Sequence, residues 1–285
     1  MSSQLLTIRG IIIFFLGLTT VLVWCVAPAP QTSNLLAVRI LDVGQGDAVH
    51  IMTPDGYEMI IDGGPDTSVL RELSKNRSFF DRHIDVMIAT HSDTDHVSGL
   101  VDVLKRFEVD LILESEVEHD APAAVMFAET AGAEGARLIT AQAGQTIQLG
   151  ASTTVRILSP KGDVSNWRSN TASIILQVQY GDTEFMFTGD TPKSIEDWLV
   201  ENHGDTLESE VLKLGHHGSD TSSSGLFLDT VDPEFAVVSA GGDNRYGHPH
   251  REVVERVSER NITLLETSKA GSVIFLSDGV DVWLR

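Results

Sequence analysis

The stretch His91-Ser92-Asp93-Thr94-Asp95-His96 puts two imidazoles and two carboxylates within six consecutive residues. The β-branched apolar run before it, residues 84–90, has the length and composition of a buried strand. After it, Val97, Leu100, Val101, Leu104 and Phe107 recur at helical spacing. The six residues therefore form a strand-to-helix turn, where the backbone is held on both sides and the side chains have few ways to point. Positions 91, 93 and 95 can converge while His96 enters the helix start. Imidazole nitrogen with carboxylate oxygen suits Zn²⁺, Mn²⁺ or Fe²⁺, and the absence of thiolates argues for an open catalytic site over a closed structural zinc site. A solvated acidic helix start would account for Ser92 or Asp95 as caps, but not for two flanking histidines.

A chain of 285 residues can hold one large domain or two small ones, and 42% apolar content supplies a sizeable core. Cys25 is the single cysteine, so no disulfide forms within the chain. The net charge of −21 repels a polyanion at long range, so a nucleic-acid substrate would need a local basic strip or metal ions. Such a surface also suits solubility in high salt. Residues 11–29 are an apolar run broken only by Gly17, Thr19, Thr20 and Pro28, with Arg9 as the early positive charge. Its length is close to the ~20 residues that span a bilayer as a helix. Ala27-Pro28-Ala29 has the form of a cleavage site, but Pro30 after the cut would hinder it, so a signal anchor is favoured over a cleaved signal peptide. Trp24 before Cys25 is too bulky for a lipoprotein-type signal. The expected organisation is an anchor and linker over 1–34 and a globular domain over 35–285, extracytoplasmic by the positive-inside rule.

The globular part opens with a strand over 38–43, the loop Gly44-Gln45-Gly46-Asp47, and a hairpin that turns at Pro54-Asp55-Gly56 and ends in Asp62-Gly63-Gly64. A helix over 66–77 follows. Beyond the histidine turn, strands at 109–113 and 136–140 flank a helix at 122–131, the alternation of α/β packing. Strands at 153–158, 173–180 and 183–188 come next, the last running into Thr188-Gly189-Asp190. A carboxylate that ends a buried strand is costly unless it is paired, capped or metal-bound. Capping the helix that starts near Pro192 would satisfy Asp190 equally well, so the residues alone leave both readings open. After a helix over 193–202 and a strand over 211–214 stands Gly215-His216-His217-Gly218-Ser219. Adjacent histidines at a strand exit are expected to point apart, one to metal and one to substrate or a supporting group. A strand over 235–239 precedes Asn244-Arg245-Tyr246-Gly247-His248-Pro249-His250, where Pro249 at a helix start leaves His248 at the cap position. Strands at 262–267, 272–277 and 280–284 close the chain, with Asp278-Gly279 as a hairpin turn.

His91-x-Asp93-x-Asp95-His96 resembles the metallo-β-lactamase superfamily signature His-x-His-x-Asp-His, with Asp93 in place of the second histidine. That variant is similar to the extracytoplasmic hydrolase domain of ComEC-type DNA-uptake proteins. So are Asp42-Val43-Gly44-Gln45-Gly46-Asp47, Thr188-Gly189-Asp190, the 216/217 histidine pair and the run from Asn244 to Pro249. The resemblance covers about residues 38–280 and implies an α/β fold, the αββα sandwich of two packed mixed sheets, behind an N-terminal transmembrane or signal helix. It implies two divalent ions, Zn or Mn, held by His91, Asp93, Asp95, His96, Asp190 and His217, with Asp190 as the bridge. Asp93 makes the site harder and moves preference toward Mn²⁺. Catalytic roles fall to Asp95, His216 and His248, the two histidines contacting a phosphate oxygen or protonating the leaving group. Asn170, Ser219, Asn244 and Tyr246 are the implied substrate contacts, and Asp42, Asp47 and Asp62 support the ligands from behind. Many superfamily members supply a further histidine between the first motif and the Thr-Gly-Asp strand. Here the only histidine between 97 and 187 is His119, in a loop-like stretch, and Asn170 stands in the gap.

The implied activity is metal-assisted hydrolysis of a phosphodiester, DNA first, with single-stranded DNA and the membrane as partners and no protein partner indicated. Two alternatives remain open. One is a hydrolase of a small ester, lactone, β-lactam or phosphorylcholine-type substrate; the other is an anchored binding module with a degenerate site.

Overall fold

The strand expected before the histidine turn is present as β4 (His83–Ala89) in a computed structural model that describes residues 9, 11–17, 19, 34–75, 77, 81–115 and 120–285. The chain divides into two units, Met1–Ser33 and Asn34–Arg285. In the first, the described residues are helical. The rest of the apolar run, with Cys25 and Ala27-Pro28-Ala29, lies outside the described residues, as does His119. Among the described residues no helix is long and apolar enough to cross a membrane.

The second unit runs β1 (Leu36–Ile40), β2 (Val49–Met52), β3 (Glu58–Ile61), α1 (Ser68–Ser74), β4, α2 (Thr94–Leu104), β5 (Glu108–Glu114), α3 (Pro122–Glu134) and β6 (Arg137–Thr140). It continues with β7 (Thr146–Leu149), β8 (Thr153–Ser159), β9 (Ile175–Tyr180), β10 (Thr183–Phe187), α4 (Lys193–His203), β11 (Val211–Lys213), α5 (Gly225–Val231) and β12 (Phe235–Val238). Helix α6 (Arg251–Ser258), β13 (Thr263–Glu266), α7 (Thr267–Ala270), β14 (Val273–Ser277) and β15 (Val282–Leu284) end it. One sheet has the order β15-β14-β1-β2-β3-β4-β5-β6 and the other β13-β12-β11-β10-β9-β8-β7. The last two strands return to the first sheet, β14 pairing antiparallel with β1.

Three apolar layers hold this arrangement. Ile40, Ile51, Val86 and Ile88 of the first sheet pack with Ile157, Leu176, Phe185 and Phe187 of the second, and this layer joins the sheets. Ile60, Met87 and Ile112 turn outward onto Leu73, Leu100 and Phe127 of α1, α2 and α3. Met186, Leu212 and Ala236 turn outward onto Leu199, Phe227 and Val253 of α4, α5 and α6. The result is the expected αββα sandwich. Strand β4 serves two layers at once, which is why its sequence is an apolar run and not an alternation.

Strands β3 to β6 are mutually parallel, as are β10 to β13. Their carboxyl ends collect at one edge of the sandwich, where ligands of open α/β sheets bind. The loop 42–47 folds onto this edge because Gly46 has no side chain. Its φ is +129°, and a Cβ there would lie 2.2 Å from the Asp95 carbonyl oxygen. Helix α6 starts two residues later than expected, with His250 and not His248 at its cap.

Candidate metal centre

Each parallel strand near the edge delivers one or two polar side chains just past its end. Strand β3 leads into Asp62, β4 into Thr90 and His91, β10 into Asp190, and β11 into His216 and His217. His96 lies in the first turn of α2, whose cap residue Asp93 makes no side-chain capping bond. The cap position falls to Asp93 and not to Ser92 or Asp95, and the Asp93 carboxylate is not used in capping. Nor is Asp190 a cap, because α4 begins after Pro192.

Behind the site, the imidazoles of His91, His96, His216 and His217 are each tied through Nδ1, whereas the buried Nδ1 of His248 has no partner. His96 Nδ1 lies 2.8 Å from Asp62 Oδ2, and the same carboxylate accepts the Thr90 amide at 2.8 Å and the Thr90 hydroxyl at 2.7 Å. His217 Nδ1 lies 2.9 Å from the Ser239 carbonyl and 3.2 Å from Asp47 Oδ1. A carbonyl only accepts, so this nitrogen carries the proton and Nε2 is left for another partner. His91 Nδ1 lies 3.0 Å from Thr90 Oγ1 and His216 Nδ1 3.0 Å from Thr221 Oγ1. The remaining oxygen of Asp47 takes the ammonium of Lys213, which is itself buried.

In front, the Nε2 atoms converge on Asp190. His96 Nε2 is 3.4 Å from Asp190 Oδ1, while Oδ2 is 3.5 Å from His217, 3.8 Å from His91 and 3.8 Å from His216. Asp93 Oδ2 stands 3.7 Å from His91 Nε2 and Asp95 Oδ2 3.3 Å from His217 Nε2. The Nε2 atoms of His91, His96 and His217, with Asp190 Oδ1, are buried and have no hydrogen-bond partner. Leaving four such atoms unsatisfied is costly. The 3.4 and 3.5 Å separations of His96 Nε2 and His217 Nε2 from the Asp190 oxygens match the edge of about 3.4 Å between donors that bind a tetrahedral ion at ~2.1 Å. Asp47, His96, Asp190 and His217 each bring a ligand atom within 4.8 Å of the others, Asp47 from the rear. The donor set fits a divalent transition ion.

The charges tell the same story. Burial opposes a charge on His217, but the carboxylates of Asp190 and Asp47 outweigh it and push the imidazole up to about 9. His96 is likewise raised well above its ordinary value, against burial, by Asp190 and Asp62. Asp190 is held well below the carboxylate range because His217 and His96 overcome its burial. Burial, and then His96, lowers His91. Protons on His96 and His217 thus occupy the region where a cation is favoured.

The sequence profile of the metallo-beta-lactamase superfamily matches residues 41–242, which spans Asp47 through Ser239. The chain belongs to the metallo-β-lactamase superfamily. It is 33% identical over 252 residues to competence protein ComA of Neisseria gonorrhoeae, covering 87% of this chain and 33% of that protein. It is 27% identical over 261 residues to ComE operon protein 3 of Bacillus subtilis (strain 168), covering 86% and 33%. The chain spans about a third of the length of these relatives, which agree with the ComEC-type motifs. Among solved structures it is similar to CmlA, a diiron β-hydroxylase from Streptomyces venezuelae, with a TM-score of 0.54 at 16% identity over 82% of this chain and 53% of that one. YhfI, a metallo-β-lactamase fold protein from Bacillus subtilis, gives 0.53 at 11% identity over 82% and 96%. These likenesses show the fold alone, and the fold does not fix the reaction.

Several expected members of this metallo-β-lactamase centre take other positions. His216 and His217 do not point apart: both reach Asp190, because their backbones are left-handed at φ +49° and +56° and Gly218 continues at +82°. Such a conformation is strained for residues with a Cβ and persists only where the surroundings enforce it. Asp42 accepts from the Gly44 amide at 3.3 Å and its own amide binds Ser272, so it shapes its loop and touches none of the imidazoles. Ser219 Oγ lies 2.9 Å from Thr221 Oγ1, which braces His216, so it stands one step behind and does not face substrate. Asn244 clamps its own loop, donating to the Gly241 and His248 carbonyls at 2.7 Å each and accepting from the His248 amide at 2.9 Å. Two of these three bonds hold the His248 backbone. Asn170 lies on the 3₁₀ turn Ser169–Ala172, which meets the metal turn through Ser169 and Ser92, 3.2 Å apart. Tyr246 is exposed and stacks on His248 at 5.7 Å between centroids, with the Arg245 guanidinium over its ring. His248 is 5.6 Å from the His216 ring, and burial together with the neighbouring histidines lowers it to about 4.

Lys213, Thr90 and Ser239 were not among the expected site residues. Lys213 alone carried a signal, as a lysine inside the apolar run 211–214. The other two act through a hydroxyl and a main-chain carbonyl, which ordinary strand-end residues also possess.

Proposed function

We propose that this chain is a metal-dependent hydrolase of phosphodiesters, with DNA as its leading substrate. The observation that carries the reading is the convergence of four Nε2 atoms on Asp190, three of them buried and unpartnered. His91, Asp93 and Asp190 would hold one divalent ion, and Asp95, His96, Asp190 and His217 a second, in zinc or manganese form. Such ions supply Lewis acidity and lower the pKa of water toward neutrality.

The chain's own groups do the rest. Asp62 and Asp47 hold Nδ1 of His96 and His217, so that the Nε2 lone pairs would be free for the ions. His216 reaches the centre from its more open side, with its side chain 30% exposed, and is suited to bind a phosphate oxygen. His248, lowered by burial, is neutral at pH 7 and acts as a hydrogen-bond donor to substrate and not as a cationic acid. DNA is favoured over other diesters by the similarity to competence proteins. The apolar run 11–29 supports an anchor that leaves the catalytic unit outside the cytoplasm.

A second reading keeps the ions and replaces DNA by a small ester, lactone, β-lactam or phosphorylcholine-type substrate, which the net charge of −21 favours. Metal analysis of the purified protein, with cleavage of single-stranded DNA and of a small chromogenic phosphodiester in Mn²⁺ and in Zn²⁺, separates the two. Cleavage of DNA is the expected result, and cleavage of the small diester alone favours the second reading. Absence of bound metal, with no rise in melting temperature on adding Mn²⁺, would leave a binding module.

A further inference from the structure

A cavity of about 600 Å³ opens beside the metal centre, lined by His91 and Ser92 of the metal turn and by Glu114, Asp120, Phe127 and Glu129. Its size is that of a pocket for an organic ligand, and it shares a wall with the centre through His91, which lines it and lies 3.8 Å from Asp190. Three carboxylates line it, and among its described lining residues there is no lysine or arginine. A phosphate drawn into this space would be repelled; an uncharged group would not. Glu114 has no side-chain partner among the described residues, and burial alone pushes its carboxyl up. It is a half-buried acceptor without a donor. The remaining wall, contributed by α3 through Phe127 and neighbouring alanines, is apolar and suits the face of a flat ring.

We infer that this cavity is a nucleobase pocket whose carboxylates favour bases with exocyclic amino donors, cytosine, adenine and guanine, over thymine. The choice of a base over another neutral ligand rests on the phosphodiester reading, in which the phosphate lies over His91 and Asp190 and its nucleoside enters the space next to them. A carboxylate accepts from the cytosine or adenine amino group, whereas thymine has no amino group and its one donor, N3–H, sits between two carbonyl oxygens that would face the same carboxylate. The arrangement also reconciles an acidic chain with an anionic polymer. The bases meet the acidic wall, and the phosphates stay at the metals.

The test is binding of free nucleosides to the full chain in detergent, without added metal, read by saturation-transfer NMR titration. Deoxycytidine and deoxyadenosine are expected to bind about tenfold more tightly than thymidine. Glu114→Gln, which supplies a donor in the same volume, should bring that ratio toward one. Glu129→Gln, on the exposed face of α3 and free of folding risk, should weaken deoxycytidine and deoxyadenosine more than thymidine. Equal affinities in the parent chain, no nucleoside binding, a ratio unmoved by both variants, or tighter binding of choline than of any nucleoside would overturn the inference. Cleavage of oligo(dC) and oligo(dT) with Mn²⁺ is scored separately. Selective nucleoside binding without cleavage of either would sink the phosphodiesterase reading and leave the pocket standing.

Discussion

Strand β4 carries a histidine and carboxylate cluster at each end, and the two could hardly differ more. At its start, His83 Nε2 lies 3.1 Å from Asp110 Oδ1, with the two side chains 47% and 68% exposed. Asp85, beside them, accepts the Glu58 amide at 2.7 Å. The Asp110 hydrogen bond raises His83, and the pair is a surface ion pair of the kind worth about 0–1 kcal/mol. At the far end, His91 joins three other imidazoles around the buried Asp190, with each Nδ1 occupied and three Nε2 atoms unpartnered. Residue type is the same in both clusters. Burial, convergence and support from behind separate a candidate metal centre from a solvated salt bridge.

The largest effect expected from breaking this contrast is at Asp190. Asp190→Ala should reduce hydrolysis to background and lower metal occupancy while the circular dichroism of the fold is retained; full activity would contradict the two-ion arrangement. Next comes the rear wall. Lys213→Met takes the ammonium from the buried Asp47 carboxylate, leaving it only the His217 imidazole, and should cost about 3–5 kcal/mol in denaturant unfolding. Asp62→Asn loosens His96 without touching the front of the site and should weaken metal binding about 10–100-fold in a chelator competition.

A pH effect should follow from His217. Its folded pKa of about 9 lies above the ordinary imidazole value, so the charged ring stabilises the metal-free fold below about pH 6.5, and that contribution is lost as pH rises through about 9. The metal-free melting temperature should therefore fall over this window. The increase in melting temperature on adding Mn²⁺ should grow, because the ion no longer displaces a proton. Scanning fluorimetry at pH 6.5, 8 and 9.5 checks both trends. The smallest effect is expected at the other end of β4, where His83→Ala should change stability by no more than about 0.5 kcal/mol and leave metal content unchanged.

How much of this was legible beforehand divides along the same line. The strand-to-helix turn at His91 and the strand ends at Asp62 and Asp190 follow from apolar periodicity broken by a polar residue, and they hold in the structure. The sandwich itself came from motif resemblance, since alternating strands and helices alone allow several α/β folds. Short elements were missed: β7 and α7 have four residues each, and α5, with seven, begins at a glycine. The left-handed pair at 216 and 217 was illegible because only glycine advertises that conformation, and the glycine here follows the pair. Asn244 and Ser219 looked like substrate contacts because a side chain that braces its own loop and one that faces a ligand read alike in a string of letters. Lys213 could have been read as a buried cation in need of an anion, with Asp47 its partner 166 residues away.

Anomalous diffraction from crystals of the protein grown with Mn²⁺ tests the central claim most directly. Density is expected between Asp190 and the Nε2 atoms of His91, His96 and His217, with none beside His83 and Asp110. No peak at Asp190, or a peak only at the exposed end of β4, would contradict the account.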